Sequence, residues 1–303
     1  MLNALVWALA CFGVVAANIA LSMVLFSALG VASVFMGFSI DDLDIQLLQA
    51  AAQTASFLMA LLWWRYLWPR SFMARWQAER PLDGGAHGAW RRIACVIVIG
   101  LALQVAVGYV TDGVLSLLPE TASDYSELVE ETGMGDTSYL AILTTVLGAP
   151  FSEELLVRGI VFEFSLRAFN PQCRPLWKRR RRVSAQDGAM VPWAAPSTWG
   201  IAAAIVLQAA IFGFMHMNWV QGCYAGAAGL IFGWVLVTTG KLRYTILLHF
   251  AFNAGSYLIS LLWFVDTPLG VVITVAIAGV ILVEAMRSLR QACQPDAASA
   301  PLP

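Results

Sequence analysis

The octapeptide Ser152-Glu153-Glu154-Leu155-Leu156-Val157-Arg158-Gly159 sets two adjacent carboxylates ahead of an arginine inside an otherwise apolar run. On a helix, Glu154 and Arg158 stand four apart with the acid first, the order that favours an ion pair. Such a pair leaves Glu153, about 100° around the helix, less neutralised and free to act as a base. A buried pair that merely staples two helices is the competing reading. Phe212-Gly213-Phe214-Met215-His216 brings an imidazole to the end of a second apolar run. There it is either a proton carrier or a hydrogen-bonded helix-end residue. His249-Phe250-Ala251-Phe252-Asn253 spaces an imidazole and a carboxamide four apart, so both face one way and present donors together. Bridging two helices is the alternative.

The three motifs gain meaning together. The chain has only three histidines, and His87 is expected in a loop, so the other two both fall in apolar runs. Two carboxylates, two imidazoles, a guanidinium and a carboxamide form an inventory of base, proton carriers and oxyanion donors. Those are the parts needed to add water to a carbonyl. Asp112, Glu163 and Glu284 are the remaining acids in or near apolar runs, and their positions close to run ends read as interfacial.

The elements that must position these residues are membrane helices. Of 303 residues, 59% are apolar and only 12% charged, against about a quarter charged in a soluble protein. The mean hydropathy is +0.72. A spanning helix needs about 20 apolar residues, and that ruler gives eight expected spans: 4–36, 45–68, 92–117, 138–166, 197–217, 220–239, 244–264 and 267–286. These runs are too long for barrel strands, so the fold class is all-α, a polytopic transmembrane bundle. Segments 37–44, 118–137 and 265–266 carry acids and no Lys or Arg, whereas the alternate segments hold the positive charge, including the run Lys178 to Arg182. By the positive-inside rule, eight spans with both termini cytoplasmic satisfy every segment. No secretory signal is expected, because the first basic residue is Arg65. The cysteines (Cys11, Cys95, Cys173, Cys223, Cys293) are odd in number, lack any CxxC pair, and read as small apolar fillers. Gly222, Gly226, Gly229 and Gly233 form one helical stripe, a seam for close approach of a neighbouring helix.

EExxxR, FxxxH and HxxxN, in this order on separate spans, resemble the type II CAAX prenyl protease and bacteriocin-processing (CPBP, or Abi) family of intramembrane glutamic endopeptidases. The resemblance covers roughly residues 138–260. It divides the chain into generic spans over 1–137, a catalytic core over 138–264 and a last span with cytoplasmic tail over 265–303. It implies that Glu153, assisted by His216, activates water, and that His249 and Asn253 stabilise the oxyanion. Glu154 and Arg158 would hold Glu153 in position. It implies no cofactor, a membrane-associated protein or peptide as substrate, a bilayer as surroundings, and no nucleic acid. A zinc protease built from the same Glu and His residues is the rival mechanism, although no HExxH helix occurs. A proton-coupled transporter is the rival class, without the inverted repeat that it calls for. A non-catalytic scaffold of the same fold would be marked by a lost motif residue, and none is lost. Straight helices of full length would hold His216 and His249 on the order of 20 Å apart. Shared chemistry therefore requires that the hairpin of the fifth and sixth spans keep its tip, Met217 to Gln221, within the membrane thickness. The glycine stripe is expected to seat that hairpin against the fourth and seventh spans.

Overall fold

The structure is a computed structural model that describes residues 2–37, 45–79, 82, 85–132, 137–170, 196–259 and 267–294. Among the described residues ten helices follow one another: α1 (Leu2–Met36), α2 (Ile45–Leu67), α3 (Phe72–Glu79), α4 (Gly85–Leu115), α5 (Pro119–Thr132), α6 (Tyr139–Phe169), α7 (Thr198–Met215), α8 (Trp219–Thr239), α9 (Leu242–Ile259) and α10 (Pro268–Ala292). No strand occurs among the described residues. Seven helices (α1, α2, α4, α6, α7, α8 and α10) are long and apolar enough to cross a membrane. The expected seventh span, 244–264, begins in α9, which is less apolar because Arg243, His249 and Asn253 fall on it; residues 260–264 lie outside the described residues. The run Lys178 to Arg182, Cys173 and the acids at 41–44 lie outside them too.

Two apolar clusters flank the central helices. Trp7, Cys11 and Val14 of α1 pack on Leu156, Ile160 and Phe164 of α6. Ile99 and Leu103 of α4 pack with Leu248 of α9, Leu289 of α10 and Phe232 of α8. The α4–α9 contact is so close that a Cβ at Gly100 would come within 2.6 Å of the Leu248 carbonyl oxygen. Cys11 and Cys95 are buried fillers, while Cys223 is exposed.

Three expectations are corrected. His87 is not in a loop: α4 begins seven residues before the expected span, carries His87 and Arg91 ahead of it, and has Arg92 at the span's first position. Arg92 is buried there, donating through Nε to Tyr244 Oη at 3.2 Å and through Nη1 to the Ala292 carbonyl at 2.9 Å. That second bond sets a cation on the carbonyl end of α10, where the helix dipole favours it. The acidic segment after α4 holds an amphipathic helix, α5, with no buried residue, tied to α2 by Gln49 Nε2 donating to the Thr132 carbonyl at 2.9 Å. The glycine stripe of α8 faces mainly α7, its own hairpin partner: Gly222 meets Gly213, Gly226 and Gly229 meet Ala209, and Gly233 meets Ile205 and Gln208. Only Gly229 also touches the fourth span, at Arg158.

Candidate active site

The helix that carries the carboxylates is irregular, and the irregularity starts from a proline. Ser138 caps α6 by accepting from the Ala141 amide at 3.2 Å. Residues Leu143–Gly148 and Leu155–Val161 then form π-helical turns. Such turns commonly sit at functional sites. Pro150 has no amide hydrogen to return to the preceding turn, and the Ala149 amide bonds to the Thr144 carbonyl. Thr145 therefore keeps a carbonyl without a helical donor. Asn253 Nδ2 of α9 supplies one at 2.8 Å. A buried carbonyl must find such a partner, so the first and third motifs are joined through a main-chain group that no motif names.

One turn on, the four ionisable groups converge. Arg158 Nη1 donates to Glu154 Oε1 at 2.9 Å, and both side chains are wholly buried. The same Oε1 lies 3.0 Å from His249 Nδ1. A carboxylate only accepts, so this contact puts a proton on Nδ1 and turns Nε2 towards Glu153. Nε2 stands 3.8 Å from Glu153 Oε2. That is too long for a hydrogen bond and short enough for one water oxygen to touch both. Glu153 is the accessible member, with 28% of its side chain exposed against 5% for His249 and none for Glu154.

Aromatic rings wall the cluster. The Arg158 guanidinium lies against both Phe212 and Phe232, 4.2 and 4.8 Å from their centroids. Phe232 also packs against His249 at 5.1 Å. Among the described residues Arg158 Nε and Nη2 and Glu154 Oε2 find no hydrogen-bond partner. Gly159 leaves room for Trp64 of α2, whose ring a Cβ there would meet at 3.4 Å.

His216 stands on the other side of Phe212. Its ring packs on Phe212 at 5.0 Å, while His249 packs on the same ring at 5.9 Å. A separation of 20 Å is excluded by that shared contact. His216 caps α7, and its Nδ1 lies 2.8 Å from the Phe212 carbonyl, which leaves Nε2 as the acceptor in a neutral ring. It makes no direct hydrogen bond to Glu153. Met217 follows with φ 54°, and Asn218 then caps α8 by accepting from the Gln221 amide at 2.9 Å. A positive φ is unusual for methionine and here turns the chain sharply between two helices.

The structure thus brings together Glu153, Glu154, Arg158 and His249, sets Asn253 one turn along α9 on the π turn, and holds His216 across Phe212. Among the described residues no group of three or more His, Cys, Asp or Glu is arranged to hold a metal ion. Reasoning from sequence passed over Glu163, which was read as interfacial. It is wholly buried, paired with Arg167 Nη2 at 2.6 Å, and accepts from the Phe72 amide at 2.8 Å where α3 begins. The signal was present as a second Glu–Arg spacing of four. Asp112 and Glu284 are exposed, as expected of end positions.

No curated protein and no solved structure matches the chain. Residues 135–255, which contain every residue of the three motifs, match the family model described as Type II CAAX prenyl endopeptidase Rce1-like. Over that segment the chain is similar to the Rce1-like CAAX prenyl endopeptidases, and it is carried on an all-α membrane bundle.

Proposed function

We propose that the protein is an intramembrane endopeptidase of the glutamic type, cleaving a peptide bond in a membrane-associated protein or peptide without a metal or other cofactor. The observation that carries this reading is the asymmetry of the two carboxylates. Glu154 is buried and held by Arg158 and His249, whereas Glu153 is partly open and 3.8 Å from His249 Nε2. Glu153 takes a proton from water as the water oxygen bonds to the carbonyl carbon and the carbonyl opens to an oxyanion. When the C=O bond reforms the C–N bond breaks, and that proton passes from Glu153 to the leaving amine nitrogen, with His216 as a proton carrier linked through intervening water. His249, protonated on both nitrogens, donates from Nε2 to the oxyanion while Nδ1 stays on Glu154. In that state two carboxylates face one guanidinium and one imidazolium, so the buried charges balance. Asn253 spends one Nδ2 hydrogen on Thr145 and offers the other to the oxyanion. Arg158 fixes Glu154 and so the orientation of His249.

The experiment uses the full chain. A Glu153→Gln variant purified from membranes is searched for a trapped peptide by mass spectrometry, and that peptide is then offered to both forms. Turnover should fall on the order of 10²–10⁴-fold in the variant, the usual worth of a general base. Near-normal turnover rejects the glutamate mechanism, and loss of wild-type activity in a chelator rejects the metal-free one. The accompanying topology has both termini in the cytoplasm, by the segregation of Lys and Arg. Reporters at residues 130 and 180 should fall on opposite sides with 180 inside, and finding both on one side overturns the topology.

A further inference from the structure

A cavity of about 650 Å³ opens where the end of α2 meets the turn between α8 and α9. Arg65, Lys241 and Arg243 line it together with Trp64, Trp68 and Leu61, and no Asp or Glu does. Its place is set by two local features. Gly240 ends α8 in the left-handed conformation, φ 66°, so the chain turns back at once and α9 starts beside α2. The first turn of α9 therefore lines the same cavity as Lys241 and Arg243, and a helix start favours anions through its free amides and dipole. Among the described residues neither Arg65 nor Lys241 has an acidic partner.

The cavity is amphipathic along the bundle. Leu58, Leu61, Leu62 and Arg65 occupy one face of α2 at spacings of three and four. The three leucines are exposed at 52, 38 and 72%, forming an apolar track that leads to the cations. Trp64 and Trp68 pack at 4.9 Å with their rings tilted by 56° on the same helix end, the level at which tryptophans settle in a membrane. Free phosphate has no use for such a track, whereas a diacyl lipid needs both parts. We infer that this cavity is a binding site for an anionic phospholipid of the Lys/Arg-rich leaflet, its phosphate on Arg65, Lys241 and Arg243 and its chains along Leu58, Leu61 and Leu62. The volume is in the range of sites that hold a small-molecule ligand, roughly 300–1,000 Å³, which suits a headgroup with its glycerol. Basic pockets between membrane helices are known to hold such headgroups. The site stands apart from the catalytic reading, since lipid binding requires no turnover.

The test is native mass spectrometry of the full chain in non-ionic detergent, with dioleoyl phosphatidylglycerol and dioleoyl phosphatidylcholine supplied in equal amounts. The wild type should retain phosphatidylglycerol at least about tenfold better, on the basis of roughly fivefold per basic residue at a membrane surface. Arg65→Gln with Lys241→Gln and Arg243→Gln should remove that preference, while Arg287→Gln with Arg290→Gln at the end of α10 should leave it. Where the triple variant fails to fold, Lys241→Gln alone decides, with an expected several-fold drop. Equal retention of the two lipids, an unchanged preference in the variants, or displacement of the lipid by an equal amount of inorganic phosphate overturns the assignment.

Discussion

Glu154–Arg158 and Glu163–Arg167 are the same device placed twice on one helix, acid before base at a spacing of four, and all four side chains are buried. Their surroundings separate them. Glu163 is saturated: one oxygen takes Arg167, the other takes the Phe72 amide and fixes the start of α3. Arg167 adds the face of Trp7, with its guanidinium carbon 4.8 Å from the ring centroid. Glu154 shares one oxygen between Arg158 and His249, and its other oxygen and two nitrogens of Arg158 have no hydrogen-bond partner among the described residues. A buried charge left short of hydrogen bonds is costly. Proteins retain that cost mainly where chemistry uses the group. Spacing and burial thus do not distinguish a staple from a site; the state of satisfaction does.

The largest expected difference between the two pairs is in turnover. Glu154→Gln preserves shape and can still accept from His249, but its amide can also donate and so select the other imidazole tautomer. Turnover per folded molecule should fall by on the order of 10²–10⁴, the range for misplacing a proton carrier. Glu163→Gln should stay within about twofold, since surroundings away from the reacting atoms act mainly on stability. Equal losses in the two variants, measured on the same trapped peptide, would remove the distinction.

Stability should divide the pairs in the opposite sense. Arg167→Met leaves Glu163 buried without its cation, a change that costs about 3–5 kcal/mol. Arg158→Met deletes a group with a single protein hydrogen bond, and Glu154 keeps His249, so the cost should be smaller by about 1 kcal/mol or more. Denaturation of the two variants in mixed micelles reads the order directly. A less stable Arg158→Met would mean that packing of the guanidinium on Phe212 and Phe232 outweighs the missing hydrogen bonds.

The contrast also explains what could be read from the sequence. The bundle followed from long apolar runs, and the Glu154–Arg158 pair followed from spacing, because both are local. The convergence of three motifs was legible as a list of parts in order. What spacing could not supply was the contact of His249 Nδ1 with Glu154, which makes the third motif orient the first. Nor could it supply the Thr145 carbonyl, freed by Pro150 and taken by Asn253. These are contacts between α6 and α9, far apart in the chain, and they depend on π turns, of which Pro150 marks the first but not its partner on α9. The roughly 20 Å that straight, fully crossing helices would set between His216 and His249 does not occur: both rings pack on Phe212, as shared chemistry required. Glu163 was misjudged by position, since nearness to a run's end was taken for exposure while α3 folds back to cover it.

The finest test lies in the glycine seam, where one residue touches the site pair and its neighbour does not. A Cβ at Gly229 would stand 3.4 Å from Arg158 Nη2, and 3.1 and 3.2 Å from the Cα and Cβ of Ala209. The backbone of Ala209 cannot yield cheaply, so α7 and α8 must part by a few tenths of an ångström and the guanidinium must shift with them. At Gly226 the nearest atom is the Ala209 carbonyl oxygen at 3.6 Å, an ordinary contact. Alanine there should gain helix propensity, up to about 1 kcal/mol, at no steric cost. Gly229→Ala should lose that gain to overpacking, which costs about 1–3 kcal/mol. It should also slow turnover a few-fold, because Arg158 holds Glu154 and Glu154 holds His249. The decisive readout is the pair of variants taken together, in stability and in turnover. If Gly229→Ala matches Gly226→Ala in both, the seam has slack at Arg158, and the unsatisfied guanidinium is not held in place by α8.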